Sequence, residues 1–175
     1  MLKTAAVNAA NTADRANREQ QTEQIRPHYL KAVTLVERLH RRLLDVIKDE
    51  FDRRSRADVN SIQALLLHNI GEQELTASEL HTRGYYLGSN VSYNLKKLAE
   101  AGFLDNQRSH FDRRSVRIKL TDKGREICNI VDALYQKHAR TVEQVGAICF
   151  DELVTLNKSL HRLERFWTDQ ILYRL

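Results

Sequence analysis

Apolar residues in this chain recur every three or four positions almost throughout, and in one place the step drops to two. From Tyr29 the series Val33, Val36, Leu39, Leu43, Val46, Ile47 and Phe51 follows the longer step, which marks one face of an α-helix. Val59, Ile62, Leu66 and Ile70 repeat it, as do Ile127, Ile130, Val131, Leu134, His138, Val142 and Val145, and then Phe150, Leu153, Leu156, Leu160, Leu163, Phe166 or Trp167, and Ile171. Val116, Ile118 and Leu120 instead alternate with Arg117 and Lys119, as in a strand with one buried face. With Phe103–Arg108 they predict a β-hairpin around the polar loop SHFDRRS. The fold class is therefore mainly α with one small hairpin. One proline in 175 residues agrees, because a β-sandwich draws on proline and glycine for its turns.

Element boundaries follow from local chemistry. Residues 1–24 are rich in Ala, Asn, Thr and Gln without an apolar period, and are expected to form a mobile or loosely held helical arm. Pro27 suits a first helical turn. A helix of about 28 residues from there would span roughly 40 Å, more than a small core needs, so one face is expected to meet a partner. Asp58 is the expected N-cap of the second helix and Gly71 its stop. A helix near 76–83, a turn holding Gly84 and Gly88, and a helix near 89–101 ended by Gly102 read as helix-turn-helix. Thr121 and Asp122 offer caps for the helix that follows.

Charge is concentrated. Residues 89–125 hold nine Lys or Arg against four acids, a net of +5, which equals the excess of the whole chain. Focused positive charge suits a polyanion, because each neutralised phosphate releases counterions; a solvated basic face would look the same. In the helix near 89–101, Val91, Leu95 and Leu98 fall within about 60° on a wheel of roughly 100° per residue. Ser89, Tyr93, Lys96 and Lys97 point the other way, with Asn90 and Ser92 on the flanks.

Other function classes lack their residues. The opening residues carry no apolar signal region and no run is long enough to span a bilayer, so the chain is expected in the cytoplasm without a membrane partner. Cys128 and Cys149 form no CxxC pair, and the seven histidines form no HxxxH or HxH pair, so no metal is expected. GxSxG, Walker and HExxH signatures are missing, so neither an enzyme nor a cofactor is expected.

Three segments carry a resemblance: LTASEL (75–80), GSNVSYNLKKLAEAGFL (88–104) and DRRSVRIKLTDKG (112–124). Together with the element order they resemble the MarR family of winged helix-turn-helix regulators over roughly residues 27–172. Within that family the likeness extends to the alphaproteobacterial regulators of L,D-transpeptidase genes. The resemblance implies a dimerisation helix over 25–57, a DNA-binding lobe over 58–121 and C-terminal dimerisation helices over 122–175. It implies a homodimer that binds duplex DNA at a pseudo-palindromic operator, as a repressor or else an activator, and releases DNA on binding a small aromatic or phenolic effector.

Carried onto this sequence, it makes the helix near 89–101 the reading helix. Asn90 and Asn94 would suit adenine edges, Lys96 or Lys97 guanine or phosphate, and Ser89 and Ser92 phosphate, with Tyr93 on the same face. In the wing, Asp112 would brace Arg114 for entry into the minor groove, while Arg113 and Arg117 would contact the DNA backbone. His40, Leu43, Leu44 and Ile47 of the first long helix, with Leu66 and His68 of the second, would line the effector cleft; as plain core or interface residues they would read the same. The competing readings are a protein-interaction module and a redox- or metal-responsive regulator.

Overall fold

The computed structural model describes residues 2–76, 79–80, 88–108 and 116–173. The chain divides into two compact units, Met1–Arg56 and Ala57–Leu175.

The first unit is one helix, α1 (Leu2–Arg53). The start expected at Pro27 is corrected, because Pro27 lies inside the helix. A proline there removes one backbone hydrogen bond and crowds the preceding turn. Ala, Arg, Glu and Gln on both sides are good helix formers and carry the helix across it. The segment expected as an arm is therefore helical from Leu2 onward. The last turns are laced with i,i+4 pairs: Lys48 with Asp52 at 2.5 Å, Asp49 with Arg53, and Glu50 with Arg54 at 2.6 Å. Just past the helix, Ser55 lies in the left-handed region at φ 55°. Ser55 N–H donates to the Asp52 carbonyl and Arg56 N–H to that of Phe51, each at 3.0 Å, which is the Schellman closure.

In the second unit, α2 spans Ser61–Ile70. Its N-cap is Asn60, correcting Asp58: Asn60 Oδ1 accepts from Gln63 N–H at 2.9 Å, and Gln63 Oε1 accepts from Asn60 N–H at 3.1 Å. A glutamine three residues on closes this capping box. A two-residue strand, β1 (Leu75–Thr76), follows. Thr76 and Glu79 form a second reciprocal pair, with Thr76 N–H to Glu79 Oε2 at 2.7 Å and Glu79 N–H to Thr76 Oγ1 at 3.1 Å. Glu79 and Leu80 are helical; the rest of the helix expected near 76–83 lies outside the described residues.

After it come α3 (Gly88–Glu100), β2 (Leu104–Arg108), β3 (Val116–Leu120), α4 (Asp122–Gly146) and α5 (Phe150–Tyr173). The strands form an antiparallel sheet in the order β1-β3-β2, so the alternating strand is central. Leu104 lies opposite Leu120, and Leu75 opposite Ile118. Leu66, Leu67, Leu98, Phe103, Ile127 and Val131 are wholly buried. By contrast, α5 has no buried residue. Among the described residues no helix is long and apolar enough to cross a membrane.

Candidate nucleic-acid interface

A tight turn and the start of α4 fix the C-terminal end of α3. At its C-terminal end Gly102 takes φ 77°, Gly102 N–H donates to the Ala99 carbonyl at 3.0 Å, and Phe103 N–H to that of Leu98 at 2.9 Å. This is again a Schellman motif, and its left-handed position favours glycine. The turn is then clamped by the start of α4. Thr121 N–H donates to the Phe103 carbonyl at 3.1 Å, and Thr121 Oγ1 donates to the Gly102 carbonyl at 2.7 Å while accepting from Gly124 N–H at 3.2 Å. Lys123 Nζ reaches the Ala101 carbonyl at 2.9 Å and sits 4.0 Å from the centre of the Phe103 ring. Gly124 comes so close that a Cβ on it would lie 2.3 Å from the Phe103 carbonyl oxygen.

The faces of α3 divide as the wheel requires. Val91, Leu95 and Leu98 are 3%, 8% and 1% exposed. Tyr93 is 62% exposed, Ser92, Lys96 and Lys97 are exposed, and Asn94 is half-buried. Ser89 and Asn90 lie in the first turn; their side chains are outside the described residues. Glu100 lies 3.9 Å from Lys96 Nζ and 3.5 Å from Lys97 Nζ. Exposed pairs of this kind contribute little, so both ammonium groups can exchange Glu100 for a phosphate.

In the hairpin, Arg117 is exposed while Ile118 and Leu120 are buried. Lys119 is half-buried and lies 3.4 Å from Glu74. Asp112, Arg113 and Arg114 lie outside the described residues. The basic excess is thus partly spent inside the fold. Lys119 pairs with Glu74 and Lys123 holds the α3 turn; Arg125 pairs with Asp122 and donates to the Leu120 carbonyl at 3.1 Å. The hydrogen bond to Asp122 raises the Arg125 pKa further. Counting charges along the sequence cannot separate these from cations facing solvent.

The six residues assigned to an effector cleft divide between the two units. Ile47 and Leu66 are buried, Leu43, Leu44 and His68 half-buried, and His40 exposed. His68 has a role the sequence did not disclose. Its Nε2 lies 2.9 Å from Asp132 Oδ1 on α4, and its ring meets Tyr135 edge-on at 5.1 Å. Buried Nδ1 finds no partner among the described residues. Beside it, burial and then the Asp132 and Glu72 carboxylates push the Cys128 thiol above its ordinary pKa. That opposes the redox reading, because a sensing thiol needs a lowered pKa.

These elements, α2 and α3 with a hairpin whose strands pair in a three-stranded sheet, define a winged-helix lobe. Residues 59–124 match the family model described as a winged helix DNA-binding domain. The chain is similar to the exopolysaccharide II synthesis transcriptional activator ExpG of Rhizobium meliloti (strain 1021), 36% identical over 145 residues that cover 83% of this chain and 74% of ExpG. Its fold is similar to Streptococcus pneumoniae FabT, solved in complex with DNA: the TM-score is 0.65 at 20% identity, over 81% of this chain and 98% of FabT. It is also similar to a mutant MarR from E. coli complexed with operator DNA, at TM-score 0.60 and 19% identity, over 78% of this chain and 95% of that one. The chain belongs to the MarR family of winged helix-turn-helix transcriptional regulators.

Proposed function

We propose that the chain binds a pseudo-palindromic DNA operator as a homodimer, α3 reading the major groove and the β2–β3 hairpin lying along the flanking backbone. The observation that carries this is the division of α3, whose apolar side is buried while Tyr93, Lys96 and Lys97 stand in solvent. The Schellman turn and the α4 clamp hold that face rigidly, as site-specific reading requires. Among the described side chains, Ser92, Tyr93 and Asn94 are assigned to base edges and nearby phosphates, and Lys96, Lys97 and Arg117 to phosphates. The wing assignment of Asp112, Arg113 and Arg114 rests on the sequence segment alone.

Homodimerisation is supported by α5. Most helical stability in proteins comes from a packed apolar face, and this 24-residue helix has no buried residue in the single chain. Leu156, Leu160 and Ile171 lie on one side of it and are 46%, 41% and 78% exposed, the mark of a surface covered by another copy. Release of DNA by a small aromatic or phenolic effector, and residence in the cytoplasm, are carried by family membership. Repression follows the family reading, whereas ExpG is named an activator. A reporter fused to the upstream region of the chain's own gene decides the sign.

A gel shift with that upstream duplex tests binding. The chain should retard it in preference to a scrambled duplex of equal length, and the affinity should fall steeply between about 50 and 200 mM salt. Equal retardation of both duplexes would refute sequence-specific reading.

A further inference from the structure

The face of α1 opposite its apolar stripe carries a second concentration of positive charge. Arg38, Arg41 and Arg42 stand at i, i+3 and i+4 and so share one side of the helix. With Asp45 they line a shallow cavity of about 380 Å³. Arg42 Nη1 donates to Asp45 Oδ2 at 3.1 Å, and its side chain is still 78% exposed. Among the described residues, Arg38 and Arg41 have no ion pair or side-chain hydrogen bond.

The last turns of the same helix are built differently. There Lys48, Arg53 and Arg54 each have an acidic partner one turn away. Like charges at i+3 and i+4 repel on a helix surface, and Arg38 meets both Arg41 and Arg42 at those spacings, a repulsion that a shared anion would offset. A guanidinium fork matches two oxygens of a phosphate. Three forks less one carboxylate leave a charge of +2, the complement of a diphosphate or of two neighbouring phosphodiesters.

We propose that Arg38, Arg41 and Arg42 form a phosphate-binding site, separate from the DNA-reading face of α3 and independent of that function. The phosphates come either from a free diphosphate-bearing molecule or from a nucleic-acid backbone. Residues proposed for the effector cleft, His40, Leu43 and Ile47, point to the opposite side of α1 on the helical wheel, so the two sites are distinct.

The test uses the full chain, the double variant Arg38→Gln/Arg41→Gln, which keeps helix-forming side chains, and Asp45→Asn. Each is titrated calorimetrically with inorganic pyrophosphate at constant ionic strength, and by anisotropy with a random-sequence duplex over a range of salt. A free diphosphate predicts one saturable site per chain, weakened at least about tenfold in the double variant, with an unchanged duplex salt slope. A backbone source predicts a salt slope lower by about two per engaged chain in the double variant and no saturable pyrophosphate binding. In either case Asp45→Asn should bind the responding probe about threefold tighter, a gain that misfolding cannot mimic. If neither probe distinguishes the variants from wild type, the site does not exist.

Discussion

Replacing Gly124 with alanine sets two rules against each other. Gly124 lies in the first turn of α4, where helix propensity alone favours alanine by about 1 kcal/mol. The added Cβ would lie 2.3 Å from the Phe103 carbonyl oxygen and 3.2 Å from Leu120 Cδ2, and no rotamer relieves a clash with backbone. Overpacking of this sort costs about 1–3 kcal/mol. The same carbonyl accepts from Thr121 N–H, so moving it risks a further ~1 kcal/mol. Net destabilisation of about 1–3 kcal/mol lowers the melting midpoint by roughly 3–10 °C in a chain of this size. Far-UV melts at one fixed protein concentration read it, because association shifts the midpoint. Gly146→Ala in the same helix is the control: its Cβ meets only Val142 Cγ2 at 3.6 Å, so it should be neutral or stabilising. A Gly124→Ala midpoint equal to or above wild type would show that the α3 turn is not clamped as described.

Asn60→Ala removes both halves of the α2 capping box and should cost about 1 kcal/mol in chemical denaturation; Asp58→Ala should cost no more than a few tenths, and the reverse order would restore Asp58 as the cap. In a Cys149→Ala background the raised pKa of Cys128 keeps its thiol protonated to higher pH, so its alkylation at neutral pH should run several-fold slower than that of free cysteine. Faster alkylation would reopen the redox reading. Light scattering should give twice the chain mass of 20.4 kDa, and Leu160→Glu should shift it toward the monomer; a monomeric wild type would end the dimer proposal.

The sequence made legible whatever a short stretch decides by itself. Alternating Val116, Ile118 and Leu120 placed β3 at its observed bounds, and Gly102 marked the end of α3 because a left-handed turn needs it there. Two residues, Leu75 and Thr76, are too few to show a period, so β1 emerges only from its pairing with β3. Asp58 and Asn60 are equal as caps in isolation; Gln63, correctly spaced from Asn60, selects the second. Pro27 looked like a start because proline is favoured at the first helical position, a rule that strong helix formers on both sides override. Lys123 and Arg125 count toward the basic excess of residues 89–125, and only the folded chain reveals their structural use, Lys123 on the turn at 101–103 and Arg125 on the Leu120 carbonyl. The His68–Asp132 contact, across 64 positions, leaves no local trace.

On the proposed function α3 reads sequence through its polar side chains while the lysines supply general affinity. Anisotropy on operator and scrambled duplexes, over a salt series, tests it with Tyr93→Ala, Asn90→Ala and the double variant Lys96→Ala/Lys97→Ala. The first two should narrow the preference for operator, each by about 1–3 kcal/mol. The lysine variant should weaken binding to both duplexes alike and lower the salt slope by about two per protomer, or nearly four for the bound dimer. Equal losses on operator and scrambled DNA for all three variants would contradict the assignment of reading to α3.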